Sequence, residues 1–484
     1  MNHFQEKSIA IIDETSNYGV LRPTTSQWNE RYDKKAFAAS RQVLIAPTYS
    51  YTSEPEPPYL PSGWSPYTHP EGQLYFFCNA PLRIVTESYL YNSVTLEKVL
   101  YWSKHIEAIL EEKQIPLSER IELFICIEED GCSYYLVNHA TQTQFWLEEV
   151  DTVSLGLPDV DSDSHLKIAL AELYWIHVEY FPMHFGGLPA KSADNLICVL
   201  SHAVTDQITS KTSTYFWSLE ECRQLLEVAK GARNHTHDGY QVCALARIWR
   251  TVYRNRFEIH HGQEVARLSR DQTIIYGTSE TTKTFGLCDL LTFKTAGRYN
   301  RKLKDIFVDR LVYIAQWQPF ITSSVRDWRR TSFEAFCCVL LHLILLQYLQ
   351  CSPLAIASLA FFSASILSST ILVHRYKALQ NITASEAFAH LSTVHSEEYD
   401  FQILAVAYAL PTTFHLWGLG LLAANGLCVL AAYAGLYCAI GLSVVALGLV
   451  VSLARLTSET ETPVPSVTSF RSLFSRRPRE ESAV

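Results

Sequence analysis

The chain has 484 residues, 48% of them hydrophobic, a net charge of -9 and twelve cysteines. Such a length has room for more than one folded unit. Scattered cysteines without a CxxC pair exclude a zinc finger and are expected to stay reduced, and nucleic acid is not expected as a partner.

Residues 1–54 show little periodicity and are expected to be loosely structured. Met1 to Lys7 bring no basic n-region and no apolar h-region, so no secretory signal is expected. A proline-rich lead, Glu54-Pro55-Glu56-Pro57-Pro58-Tyr59-Leu60-Pro61, opens the segment 55–91. There Leu60, Pro61, Gly63, Trp64, Gly72, Tyr75 and Phe76 stand in an order and spacing that resembles a WW domain. The resemblance implies a small three-stranded antiparallel sheet, with Trp64 packed on Pro61 and a proline-containing peptide held against Tyr75 or Phe76. Thr86 stands where that family places its second Trp, and Cys78-Asn79 where it places Asn-His.

Residues 92–120 read as an amphipathic helix and linker, with Leu96, Val99, Leu100, Ser103, Ile106, Ile109 and Leu110 on one face and Pro116 beyond its end. A second WW-like β unit is expected over 121–150, where Tyr134, Tyr135, Asn138, His139, Thr141 and Trp146 repeat the pattern. Leu123 or Phe124 takes the place of its opening Trp. Trp64, Tyr75, Phe76, Tyr134, Tyr135, His139 and Trp146 are therefore the candidate peptide- or protein-binding residues. The alternative is that both units are structural hairpins with buried aromatics.

Residues 151–332 read as a helical cytosolic domain. Ile168 to Tyr180 forms one helix ahead of Pro182, Ser218 and Glu221 form a capping box, and further helices are expected near 240–256 and 300–316. Charge is uneven here: residues 1–241 sum to about -15 and residues 242–330 to about +8. The basic stretch ends in Arg326, Arg329 and Arg330, where anionic lipid is a candidate partner. Runs such as Tyr174-Trp175-x-His177-x-Glu179-x-Phe181-Pro182, Asn255-Arg256-Phe257, Gly262-Gln263 and Ala266-Arg267-Leu268-x-Arg270-Asp271-Gln272 resemble a fungal, basidiomycete-type family of multi-span membrane proteins containing WW domains. That resemblance implies an architecture, not a reaction.

Residues 333–454 contain two runs without Asp, Glu, Lys or Arg, between Glu334 and Arg375 and between Asp400 and Arg455. A bilayer crossing needs roughly 20 apolar residues, so about four transmembrane helices are expected, at 335–351, 353–373, 402–423 and 430–453. Basic residues at Arg329-Arg330, Arg375, Lys377 and Arg455 put both termini on the cytoplasmic side of a multi-pass protein. Ala431, Gly435, Ala439 and Ser443 offer a small face for helix packing, and Pro411 is expected to kink its helix. The basic tail 455–484 is expected to be disordered.

No P-loop, nucleophile elbow or Rossmann fingerprint is present. His235-x-His237-Asp238 and His260-His261 lack the i,i+4 spacing of a helical metal site and read as loop histidines. No enzyme, cofactor or metal is expected. The fold class expected is a mainly α integral membrane protein, with small antiparallel WW-like modules in an α-rich cytosolic region. Its expected function is a membrane-tethered interaction scaffold; the alternative is a transporter or channel subunit with a regulatory cytosolic domain.

Overall fold

In the computed structural model, which describes residues 18–28, 31, 60–116, 120–275, 281–346 and 353–435 with separate positions at 42 and between 437 and 452, seven strands form one mixed sheet. They are β1 (Val20–Pro23), β2 (Trp64–Thr68), β3 (Leu74–Asn79), β4 (Arg83–Thr86), β5 (Ile121–Ile127), β6 (Gly131–Asn138) and β7 (Thr143–Phe145). Their spatial order is β1-β6-β5-β4-β3-β2, with β7 also paired to β6. β2–β3–β4 and β5–β6–β7 are antiparallel meanders, as the two WW-like segments predict. They are not separate modules. β4 pairs with β5 in parallel, aligning Arg83 with Glu122 and Val85 with Phe124.

The helix between the meanders makes that junction possible. Parallel neighbours need a crossover of a dozen or more residues, usually helical. Helix α1 (Ser93–Glu112) supplies it, N-capped by Asn92, whose side chain accepts from the Val94 and Thr95 amides. Its face of Val99, Trp102, Ile106 and Leu110 buries one side of the sheet, against Trp64, Phe76, Ile84, Leu123, Tyr134 and Leu136. The other side, Tyr75, Val85, Phe124, Tyr135 and Val137, is buried under α2 (Asp163–Tyr180). Helices α3 (Ala190–Thr209), α4 (Leu219–Ala232) and α5 (Gly239–Glu258) complete that layer. Sandwiched between the sheet and α5, α2 is buried on every side over 171–180, where Glu172, His177 and Glu179 lie among apolar neighbours. Ser218 and Glu221 do form a capping box on α4.

Downstream lie α6 (Lys283–Leu291), α7 (Thr295–Ile306), the hairpin β8 (Phe307–Val308) with β9 (Leu311–Val312), α8 (Ile314–Leu346), α9 (Pro353–Tyr376), α10 (Ala384–Val394) and α11 (Gln402–Ala434). The helix expected over 300–316 is interrupted because Asp309 and Arg310 adopt φ of 50° and 61° and turn the hairpin. Two units result: Met1–Ser279 with Lys304–Trp317 and Thr383–Thr393, and Glu280–Leu303 with Gln318–Ile382 and Val394–Val484. In the first, a fully buried Arg267–Asp309 pair and the Phe307–Phe388 and Trp317–His390 ring contacts fasten the two returning segments.

The expected fold class is corrected on two counts. The N-terminal part is a three-layer α/β unit around a seven-stranded sheet, not isolated WW-like modules joined by helices. Among the described residues, two helical segments, Pro353–Asn381 and Gln402–Ala434, are long and apolar enough to cross a membrane, not about four. The stretch expected at 335–351 is the end of α8, which starts at Ile314 in polar sequence; 347–351 lie outside the described residues. The division at 423–430 does not occur, because α11 runs unbroken past Pro411 to Ala434. Of the expected span 430–453, positions 436, 439, 442, 446, 447, 450, 451 and 453 lie outside the described residues, as does the tail 455–484.

In the second unit, α9 and α11 pack side by side. Ser358 donates to the Gly418 carbonyl (2.7 Å) and Ser365 to the Pro411 carbonyl (2.8 Å). Gly418 is required there, since a Cβ would stand 2.9 Å from the Phe362 ring. Trp328 of α8 donates to the Tyr408 carbonyl (3.1 Å) within a cluster with Tyr376 and Tyr299.

An excised peptide 60–91 is expected to remain unfolded by proton NMR dispersion, because Ile84 and Val85 are buried only by α1, β5 and α2. A dispersed, cooperatively melting spectrum would contradict the single-sheet account.

Candidate functional site

The densest cluster of titratable side chains surrounds Glu122. It is the second residue of β5, faces α2, and is wholly buried. The parallel register with β4 brings Arg83 beside it, with Nε 3.1 Å and one terminal nitrogen 3.0 Å from Oε2. His177, on the sheet-facing side of α2, reaches Oε1 through Nε2 at 2.9 Å. Phe181 and Pro182 end that helix and turn the chain back, so that His184 Nε2 lies 3.1 Å from both oxygens. His139, in the turn between β6 and β7, approaches Oε2 through Nε2 at 3.4 Å.

The tautomers follow from hydrogen-bond accounting. The Tyr75 oxygen accepts the Met183 amide (2.9 Å) and the His184 amide (3.2 Å), which occupies both lone pairs. Its own proton therefore goes to His184 Nδ1, 3.2 Å away, and His184 carries its proton on Nε2, pointed at Glu122. Tyr135 stands 3.0 Å from His177 Nδ1 in the same way, and donation from the phenol gives every atom of that chain a partner. Two Tyr–His–Glu chains thus converge on one carboxylate.

Burial is the largest single influence on Glu122 and acts to raise its pKa. The electrostatic pull of His184 and the hydrogen bonds from His139, His177 and His184 together overcome it and hold the group well below the usual carboxylate range. His177 is lowered, chiefly by desolvation. Tyr135 is raised well above an ordinary phenol by burial, so it stays a donor.

Glu122, His139 and His177 bring ligand atoms within 4.8 Å of one another, close enough to raise a divalent metal as a candidate. The surrounding bonds fit a neutralised carboxylate better. His184 presents N–H rather than a lone pair, and Arg83 already occupies Oε2 with a cation. A second group, Asp161, His165 and His260, is also bound up internally. His165 Nδ1 accepts the Asp161 amide (3.3 Å), so its Nε2 donates to the Phe257 carbonyl (3.0 Å), and His260 pairs with Asp161. His237 Nδ1 is satisfied by the Gly186 carbonyl at 2.9 Å.

The sequence-predicted residues lie elsewhere than in an open cleft. Trp64, Phe76 and Tyr134 are in the core under α1, and Tyr75 and Tyr135 in the core under α2. Tyr134 accepts the Leu147 amide at 3.2 Å. Trp146 donates its indole N–H to the Thr24 carbonyl at 2.7 Å. His139 is half-buried in the Glu122 cluster. Ala431 lies near the end of α11, and Gly435, at φ +86°, terminates it. Ser443 follows beyond that break, and Ala439 lies outside the described residues.

Sequence reasoning passed over Glu122, Arg83 and His184. The signal was a carboxylate inside the apolar run Ile121-Glu122-Leu123-Phe124, which a buried strand tolerates only with partners. Comparison with protein-family models, with curated proteins and with solved structures finds no match.

Replacing Glu122 by Ala is expected to cost roughly 3–5 kcal/mol in denaturant melts, the cost of stranding buried partners. The melting temperature should also depend on pH. His177 and His69 have lowered pKa values, both chiefly from desolvation, so stability is full above the unfolded histidine value of about 6.5 and falls below it. Glu122 adds a further loss below its unfolded value of about 4.5. A melting temperature flat from pH 7.5 to 5 would contradict the neutral buried histidines.

Proposed function

We propose that this chain is a membrane-inserted protein that holds an α/β head at a bilayer surface to bind other proteins. The observation that carries the reading is the outer surface of the α9–α11 pair. Ile356, Leu367, Ile371, Ile403, Leu419 and Leu427 are exposed along two long apolar helices, with Leu367 64% and Ile403 67% accessible. A protein core would bury such side chains; hydrocarbon covers them. Ser358 and Ser365 spend their hydroxyls on α11 carbonyls and Thr413 on the Ala409 carbonyl of its own helix, while His342 Nδ1 of α8 pairs with the Cys338 carbonyl. This favours an anchor over the transport alternative, which needs polar groups facing a path.

Recognition by the head is assigned to a groove rather than to the WW-like aromatics, which are core. Pro70, Trp217, Leu225, Val228, Tyr240 and Ile248 enclose about 430 Å³ between α4 and α5, with Arg247 at the side. Val228 and Tyr240 are 45% and 59% exposed on its edge. An apolar, aromatic-flanked groove suits a proline-containing or aliphatic peptide segment. Arg247 is held by Glu71 and Glu179, each at 2.7 Å, so the groove offers shape more than free charge.

Alkaline carbonate washing of membranes from cells expressing the full chain is expected to leave it in the pellet, and its release would sink the anchor. Tyr240→Glu with Val228→Glu should leave stability within about 0.5 kcal/mol, as exposed positions do. Binding of proline-rich peptides from a displayed library should fall at least tenfold. Unchanged binding would remove the groove from the proposal.

A further inference from the structure

We propose that the second unit carries a headgroup site for an anionic, phosphate-bearing lipid, formed by Arg329 and Ser332 of α8 and by Ser369, His374 and Lys377 on one face at the end of α9. The cavity they line with Thr370, Val373 and Ala378 holds about 720 Å³, within the roughly 300–1,000 Å³ usual for small-ligand sites. No Asp or Glu lines it, and among the described residues Arg329, His374 and Lys377 have no carboxylate partner.

The independent observation is Ser369. Its side chain is wholly buried in the cavity lining, and its hydroxyl has no hydrogen-bond partner among the described residues. The other buried serines of α9, Ser358 and Ser365, both donate to α11 carbonyls. A phosphate oxygen in the cavity would accept the Ser369 proton, and the guanidinium, ammonium and imidazole at the rim would balance its charge.

Two sources could supply that oxygen, free phosphate and a lipid headgroup. Location decides for the lipid, and here the inference rests on the bilayer reading above. The site occurs where the apolar run of α9 gives way to His374-Arg375-Tyr376-Lys377, the depth of the phosphate layer for an inserted helix.

The test uses the full chain in dodecyl maltoside micelles, with dioctanoyl phosphatidic acid, dioctanoyl phosphatidylcholine and inorganic phosphate as probes in thermophoresis. Phosphatidic acid is expected to bind at least tenfold tighter than either other probe. Arg329→Gln with Lys377→Gln should weaken it at least tenfold. Ser369→Ala, which deletes only an unpartnered hydroxyl, should weaken it about threefold with the unliganded melting temperature unchanged, consistent with a modest net hydrogen-bond contribution. Equal binding of phosphatidylcholine, equal binding of inorganic phosphate, or undiminished binding by the folded double variant would each overturn the proposal. Because the assay runs in micelles, it can fail while carbonate extraction still supports the anchor, and the reverse.

Discussion

A carboxylate on the middle strand of a sheet covered on both faces imposes the strongest demand in this molecule. An ionised Glu122 left alone would cost several kcal/mol of desolvation. The fold meets that demand by bringing donors from four places in the chain, Arg83 on β4, His139 in the β6–β7 turn, His177 on α2 and His184 just past its end, with Tyr75 of β3 and Tyr135 of β6 behind two of the imidazoles. Each donor fixes one element relative to β5. Arg83 reaches Oε2 only if β4 and β5 are parallel in the observed register. His184 reaches only if the chain reverses at Pro182. The cluster therefore specifies geometry as much as it stabilises it, a role buried polar groups hold in some other proteins.

The same constraint decides what becomes of the aromatic pairs. Neighbouring residues on a strand point to opposite faces, so Tyr75 and Phe76, like Tyr134 and Tyr135, cannot both line one groove. In a free-standing three-stranded module one face stays open to a ligand. Here α1 covers one face and α2 the other, and every member of the two pairs enters a core. The recognition proposed for this chain therefore uses a surface the sheet does not provide, between α4 and α5.

Local features were legible in the sequence because they depend on a few adjacent residues. The two meanders, the apolar face of α1, the Ser218–Glu221 cap and the boundary at Pro182 all follow from spacing and from the chemistry of single positions. The joining of the meanders was not legible, because it depends on pairings 39 positions apart, such as Arg83 with Glu122. The helical end failed for a different reason. Counting uncharged residues gives the length of a run, not where its helix starts or stops. α8 begins in polar sequence, and α11 passes Pro411 and the small residues after it without a break.

In the proposed bilayer setting, the serines of α9 relate the polar content of an apolar helix to depth. Ser358 and Ser365 are seven residues apart, two helical turns, and both give their protons to α11 carbonyls. In hydrocarbon such donors have no water to fall back on, which is why small hydroxyl residues gather at helix contacts there. Ser369 is one turn further on and equally buried, yet its hydroxyl is unspent. The change from satisfied to unsatisfied coincides with the appearance of Arg329, His374 and Lys377 around one cavity. A buried donor without a partner is costly, and its cost vanishes once an anionic oxygen enters that cavity. The position of that single hydroxyl, rather than the charge of the rim alone, is what distinguishes a built site from a solvated basic edge.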